Sequence, residues 1–75
     1  MDYKIIFAER LSELRKGAKL SLQTLGEHLA ITNQAVSLLE KGKRAPSFEV
    51  LCALADYFDV SLDYLVGRSD TPERR

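Results

Sequence analysis

Asn33, Gln34 and Ser37, with Lys41, Lys43 and Arg44 close behind, are the side chains of this 75-residue chain whose types and spacing suit a definite chemistry. Asn and Gln each carry a paired donor and acceptor that can grip adenine at its N6 and N7 edges, whereas Lys and Arg suit phosphate. On a helix advancing about 100° per residue, Asn33, Gln34, Ser37, Leu38 and Lys41 share one face, opposite Val36 and Leu39. That face is mostly polar and only lightly charged, which suits reading a sequence better than clinging to any polyanion. Leu38 is its odd member: it could touch a thymine methyl, pack on a neighbouring helix, or mark a protein-binding surface.

Such a face needs a support, and the residues just upstream supply one. Across Ser21 to Gly42, SLQTLGEHLAITNQAVSLLEKG, two short amphipathic patterns are separated by a tight break. Leu22, Leu25 and Leu29 recur at helical spacing, and Ser21 stands where its oxygen can cap their helix. Thr32 is placed to cap a second helix, in which Val36 and Leu39 face inward with Ile31 just ahead of them. The first helix must therefore stop near Leu29 and the chain must turn within about three residues, the pattern of a helix-turn-helix. Ser21, Thr32, Lys41, Lys43 and Arg44 are the candidate phosphate contacts, through hydroxyls, amides or charge.

Further pieces, in order, make the chain similar to the lambda-repressor-like Cro/repressor (XRE) helix-turn-helix family over about Phe7 to Gly67. They are the run Glu13-Leu14-Arg15, the Leu20-Ser21 opening of the second helix, Leu25 and Leu29, the Ile31-Thr32 turn, and Glu40-Lys41-Gly42-Lys43-Arg44-Ala45-Pro46. A fourth helix, Leu51 to Phe58, and the phrase Val60-Ser61-Leu62-Asp63-Tyr64-Leu65-Val66-Gly67 complete them. The resemblance implies an all-α, compact five-helix domain in which Asn33, Gln34, Ser37 and the neighbouring Leu38 meet base edges. It also implies that Arg15 and Glu40 form an ion pair tying the first helix to the recognition helix, against the alternative of two independent solvated charges. It departs from the family at four points, one of them Leu38, which stands where a basic or polar residue is common on the outward face. Leu22 stands where a phosphate-binding Gln is common, Ala30 replaces the usual turn Gly at a cost of about 1 kcal/mol, and Gly26 replaces Ala, either being small enough for the two helices to approach.

Length and charge set the frame. Seventy-five residues make one domain, near the size where a single core is only marginally sufficient, so dimerisation would help to hold it together. Net charge is zero, but unevenly distributed: up to Phe48 eight basic residues face five acidic ones, and beyond it three face six. The basic half holds the recognition helix, so a neutral chain can bind DNA specifically while its non-specific affinity stays low. The single Cys52 cannot form an internal disulfide and reads as a buried, inert thiol; His28 reads as a surface residue. No spacing of His, Cys, Asp or Glu resembles a metal site or an activated nucleophile, and no glycine-rich phosphate loop occurs, so no catalytic residue, metal or cofactor is expected. Neither a membrane span nor a signal core is legible, and a cytoplasmic protein is expected.

The remaining elements read as scaffold. Phe7, Leu11 and Leu14 make a stripe that buries the first helix, which the chain leaves through Gly17, Ala18 and Lys19. Ser47 can cap the fourth helix and Ser61 the fifth. The fourth has a wide apolar set, Phe48, Val50, Leu51, Cys52, Leu54, Ala55 and Phe58; in the fifth, Leu62 and Leu65 should reach the core. Tyr57, Phe58, Val60, Tyr64 and Val66 are expected outward, where the family resemblance implies a two-fold contact between subunits, against the alternative of a peripheral helix in a monomer with its tyrosines half exposed. Residues 1–67 thus form the domain, with its helix-turn-helix core at 21–42, and 68–75 a charged, disordered tail or linker.

The function implied is sequence-specific binding of double-stranded DNA by a homodimeric transcriptional regulator, a repressor on an inverted repeat with half-sites about 34 Å apart. The rival is a protein-interaction module that meets a protein partner through Leu22 and Leu38. An antitoxin or restriction-modification controller on the same fold is a further alternative.

Overall fold

Each helix of this chain begins where a short polar side chain folds back onto the next turn's amides. In the computed structural model, which describes residues 2–73, the five helices are α1 (Tyr3–Gly17), α2 (Leu22–Leu29), α3 (Asn33–Glu40), α4 (Phe48–Phe58) and α5 (Leu62–Val66). Ser21, Thr32, Ser47 and Ser61 cap α2 to α5, each accepting one backbone N–H at 3.0–3.1 Å. Asp2 caps α1, a start that the sequence reading did not place. No strand occurs among the described residues, and the fold is all-α.

The core gathers one stripe from every helix: Phe7 and Leu11 of α1, Leu25 and Leu29 of α2, Val36 and Leu39 of α3, Val50, Leu54 and Ala55 of α4, and Leu65 of α5. Three expectations fail here. Leu62 is 42% exposed, since it is the first residue of its helix, where the stripe has not yet reached the core. Val60 points inward at 5% exposure, because the turn after α4, closed by its amide on the Ala55 carbonyl at 3.0 Å, brings it into the core cluster. Cys52 is half-buried rather than buried.

The α2–α3 turn is strained where the sequence reading placed it. Ala30 ends α2 in the left-handed region, φ 59° and ψ 39°, which lets the amide of Ile31 return to the Gly26 carbonyl at 2.9 Å. Gly26 is more than merely small: a Cβ there would lie 2.7 Å from the Ile31 carbonyl oxygen, so Ala would not fit without a backbone shift.

The segment after Gly67 is not a loose tail up to Glu73. The amides of Arg68 and Ser69 donate to the Asp63 carbonyl at 2.8 and 3.2 Å, and the Ser61 amide donates to the Pro72 carbonyl at 3.0 Å. Arg10 of α1 fastens it, with Nη1 donating to the carbonyls of Tyr64 (2.5 Å) and Ser69 (2.6 Å) and Nη2 to Asp70 Oδ1 (3.2 Å). A guanidinium offers five donors in a fixed fork, which is what three acceptors from separate turns require. The rest of that stretch, Arg74 and Arg75, lies outside the described residues.

Candidate nucleic-acid interface

The recognition face begins with what holds α3. Val36 and Leu39 are 0% and 2% exposed, and α3 packs against both α2 and α1. Its polar side then has one choice of direction. Asn33 and Gln34 are exposed at the first turn of α3, and Ser37 and Leu38 are half-buried one turn on. Leu38 does not join the core cluster, so its exposed part belongs to this outward face, whereas Leu22 packs against the core.

An ion pair fixes how α3 sits on α1. Arg15 Nε and Nη2 donate to Glu40 Oε2 and Oε1 at 2.5 and 3.0 Å, and Nη1 donates to the Leu20 carbonyl at 2.9 Å. The two side chains are 14% and 10% exposed. The charge-assisted hydrogen bonds from Glu40 hold the Arg15 guanidinium above its ordinary pKa, despite partial burial that acts the other way. The pair therefore joins the end of α1 to the end of α3 and orients the exposed start of α3.

Hydroxyls and cations frame the face. Thr32 Oγ1 accepts from the Ala35 amide at 3.1 Å and keeps its own proton for an outside acceptor. Ser21 Oγ accepts from the Thr24 amide and donates to Thr24 Oγ1 at 2.9 Å, so the proton presented outward at the start of α2 is that of Thr24. No sequence signal marked Thr24, because its part depends on that hydroxyl pair. Lys41, Lys43 and Arg44 are all exposed, and none makes an ion pair among the described residues. The turn carrying them is closed by the Lys43 amide on the Leu38 carbonyl at 3.0 Å, with Gly42 at φ 72°.

The surface expected between subunits is only partly assembled. Tyr57 is exposed, with the His28 ring stacked at 4.5 Å and Phe58 edge-on at 5.0 Å. Phe58 and Val66 are half-buried, and Tyr64 lies beneath the Arg10 guanidinium, 4.2 Å from ring centre to Cζ. Val60 is withdrawn into the core, whereas Leu62 is exposed.

Residues 11–65, from the buried stripe of α1 to the end of the core in α5, match the helix-turn-helix model HTH_3. The chain belongs to the Cro/C1-type (XRE) helix-turn-helix family. Its XRE relatives include the transcriptional regulator AnsR of Bacillus subtilis, 45% identical over 60 residues, covering 80% of this chain and 52% of that protein. Among solved structures, the P22 c2 repressor in complex with a synthetic operator superposes with a TM-score of 0.79 at 31% identity, over 85% of this chain and 97% of that one. The restriction-modification controller protein C.AhdI of Aeromonas hydrophila does so with 0.73 at 31% identity, over 83% and 94%. This XRE chain spans about half the length of the curated relatives it matches.

Proposed function

We propose that this chain is a sequence-specific DNA-binding transcriptional regulator, a repressor that binds an inverted-repeat operator as a homodimer. The carrying observation is the outward side of α3, which presents Asn33 and Gln34 in solvent at one end and unpaired Lys41, Lys43 and Arg44 at the other. In this reading Asn33, Gln34 and Ser37 take base edges and Leu38 a thymine methyl. Thr32, Lys41, Lys43, Arg44 and the Ser21–Thr24 hydroxyl pair take phosphates. Its similarity to the P22 c2 repressor and to transcriptional regulators such as AnsR supports the reading.

The subunits would meet through Tyr57, Phe58, Tyr64 and Val66, with Leu62 in place of Val60. No helix among the described residues is long and apolar enough to cross a membrane, in keeping with a regulator that meets DNA in the cytoplasm. The C.AhdI likeness favours one second reading, a controller protein on the same fold. Leu22 is tied to the core, which leaves Leu38 alone on α3 as an apolar contact for a protein partner.

Selection of bound duplexes from a random pool at about 0.15 M salt tests the reading, since that ionic strength suppresses loose phosphate binding. The expected result is an inverted repeat; folded protein that enriches no sequence would overturn it. Sedimentation equilibrium of the same protein tests the homodimer separately.

A further inference from the structure

Lys4 occupies a position that the helix it belongs to disfavours. The N-terminal end of a helix carries partial positive charge, which acidic residues relieve and a lysine aggravates. α4 and α5 follow that rule with Glu49 and Asp63 in their first turns. α1 has no acidic residue there and places Lys4 at its second position. The negative charge at this end of α1 comes from the N-cap Asp2, two residues before Lys4. Lys4 is exposed and makes no ion pair among the described residues, in contrast to Arg10 and Arg15, which are both engaged.

The fold also decides what lies beside it. Gly42, at φ 72°, has no Cβ because Ile5 is in the way: a Cβ would lie 2.8 Å from Ile5 Cδ1 and 3.9 Å from both Ile5 Cα and Ala8 Cβ. The opening of α1 is therefore seated on the turn between Lys41 and Lys43. Lys4 lies one turn before Ala8 on the same side of α1, and long helical side chains lean towards the N-terminus. Lys4 therefore belongs to the end and the side of α1 that are seated on the turn carrying Lys41 and Lys43. The Asp2 carboxylate next to it is already engaged by the amides of Lys4 and Ile5 at 3.0 and 3.3 Å.

We propose that Lys4 is a further phosphate-contacting residue, which extends the Lys41–Lys43–Arg44 cluster onto α1 along the DNA backbone. This rests on the DNA-binding reading above. A phosphate contact contributes about 0.9 to the slope of log affinity against log salt, which is about a 3.5-fold change in affinity between 50 and 200 mM.

The test is fluorescence anisotropy on a mixed-sequence 30-base-pair duplex over that salt range, with the thermal midpoint of each variant recorded. Lys4→Gln is expected to lower the slope by about one contact, as Lys43→Gln does. Lys4→Glu is expected to weaken binding further while leaving the midpoint unchanged or raised. Arg68→Gln, an equal charge loss beside α5, is expected to leave the slope intact. A slope unmoved by Lys4→Gln but lowered by Lys43→Gln overturns the inference alone, as does an equal drop with Arg68→Gln. Wild-type protein with no salt-dependent binding overturns the DNA reading and the inference with it.

Discussion

Base reading and backbone holding make different demands on a side chain, and the two should separate when single residues are changed. Gln34 is exposed at the first turn of α3 with a donor and an acceptor that adenine can pair with, so Gln34→Ala is expected to relax base preference at one or two positions of the selected site. Lys43→Ala should instead weaken binding to all sequences alike and flatten the salt dependence. Binding to the selected site and to single-base variants of it checks both; equal losses across sequences for the two changes would remove Gln34 from the reading set. Arg15 acts through Glu40 rather than on DNA. With both side chains about seven-eighths buried, Arg15→Met leaves an uncompensated carboxylate, and a loss of about 2 kcal/mol is expected, between the values for exposed and fully buried pairs. The raised pKa of Arg15 sets the pH window: its contribution is fully present below the ordinary arginine value and is lost only as pH rises through the still higher folded value. The guanidinium therefore stays charged across about pH 6 to 10, and thermal melts at those two pH values should show no loss of stability from this group. The outward side of α3 was legible because helical phase alone divides that helix into two sides. Thr24 and Arg10 were not, since their partners are a neighbouring hydroxyl and backbone carbonyls 54 and 59 residues away, which no spacing announces.

The α2–α3 turn is the element on which the presentation of α3 depends, and it holds two residues in unequal comfort. Ala30 pays for a left-handed backbone that Gly adopts without strain, so Ala30→Gly is expected to gain up to about 1 kcal/mol, a rise of about 4–8 °C in the thermal midpoint. Gly26→Ala, which helix propensity alone would favour, is expected to lower the midpoint, because its Cβ would meet the Ile31 carbonyl at 2.7 Å. Calorimetry on the two variants checks both signs. The caps at Ser21, Thr32, Ser47 and Ser61 were legible because a short hydroxyl residue before an apolar period has a local mechanism. Leu62 and Val60 were misplaced for the complementary reason. Composition identifies an apolar residue, but whether the first residue of a helix or a linker residue reaches the core depends on how that end packs, a long-range property.

On the scale of the molecule, the domain does not end where the helical pattern ends. Arg10 draws the α5 end and the following segment onto α1, so residues 68–73 complete the fold beside the turn that buries Val60. The periodicity of the sequence stops at Gly67, and the charged, Pro-containing run Arg68-Ser69-Asp70-Thr71-Pro72-Glu73 gave no hint that the carbonyls of Asp63, Tyr64, Ser69 and Pro72 would find donors. Which of Arg10's bonds matters follows from burial. Asp70 is fully in solvent, and a pair with it adds little, whereas the carbonyls of Tyr64 and Ser69 are reached by a guanidinium whose side chain is only 17% exposed. Hydrogen bonds to a charged donor contribute about 1.5–3 kcal/mol, so Arg10→Met is expected to cost about 2 kcal/mol and lower the thermal midpoint by about 8–16 °C. Asp70→Asn should leave the midpoint unchanged. Hydrogen exchange locates the effect: in the Arg10→Met protein the amides of Ser61, Arg68 and Ser69 should exchange faster while those in the middle of α3 keep their relative protection. If Asp70→Asn were as damaging as Arg10→Met, the surface ion pair and not the carbonyl clamp would be holding the segment in place.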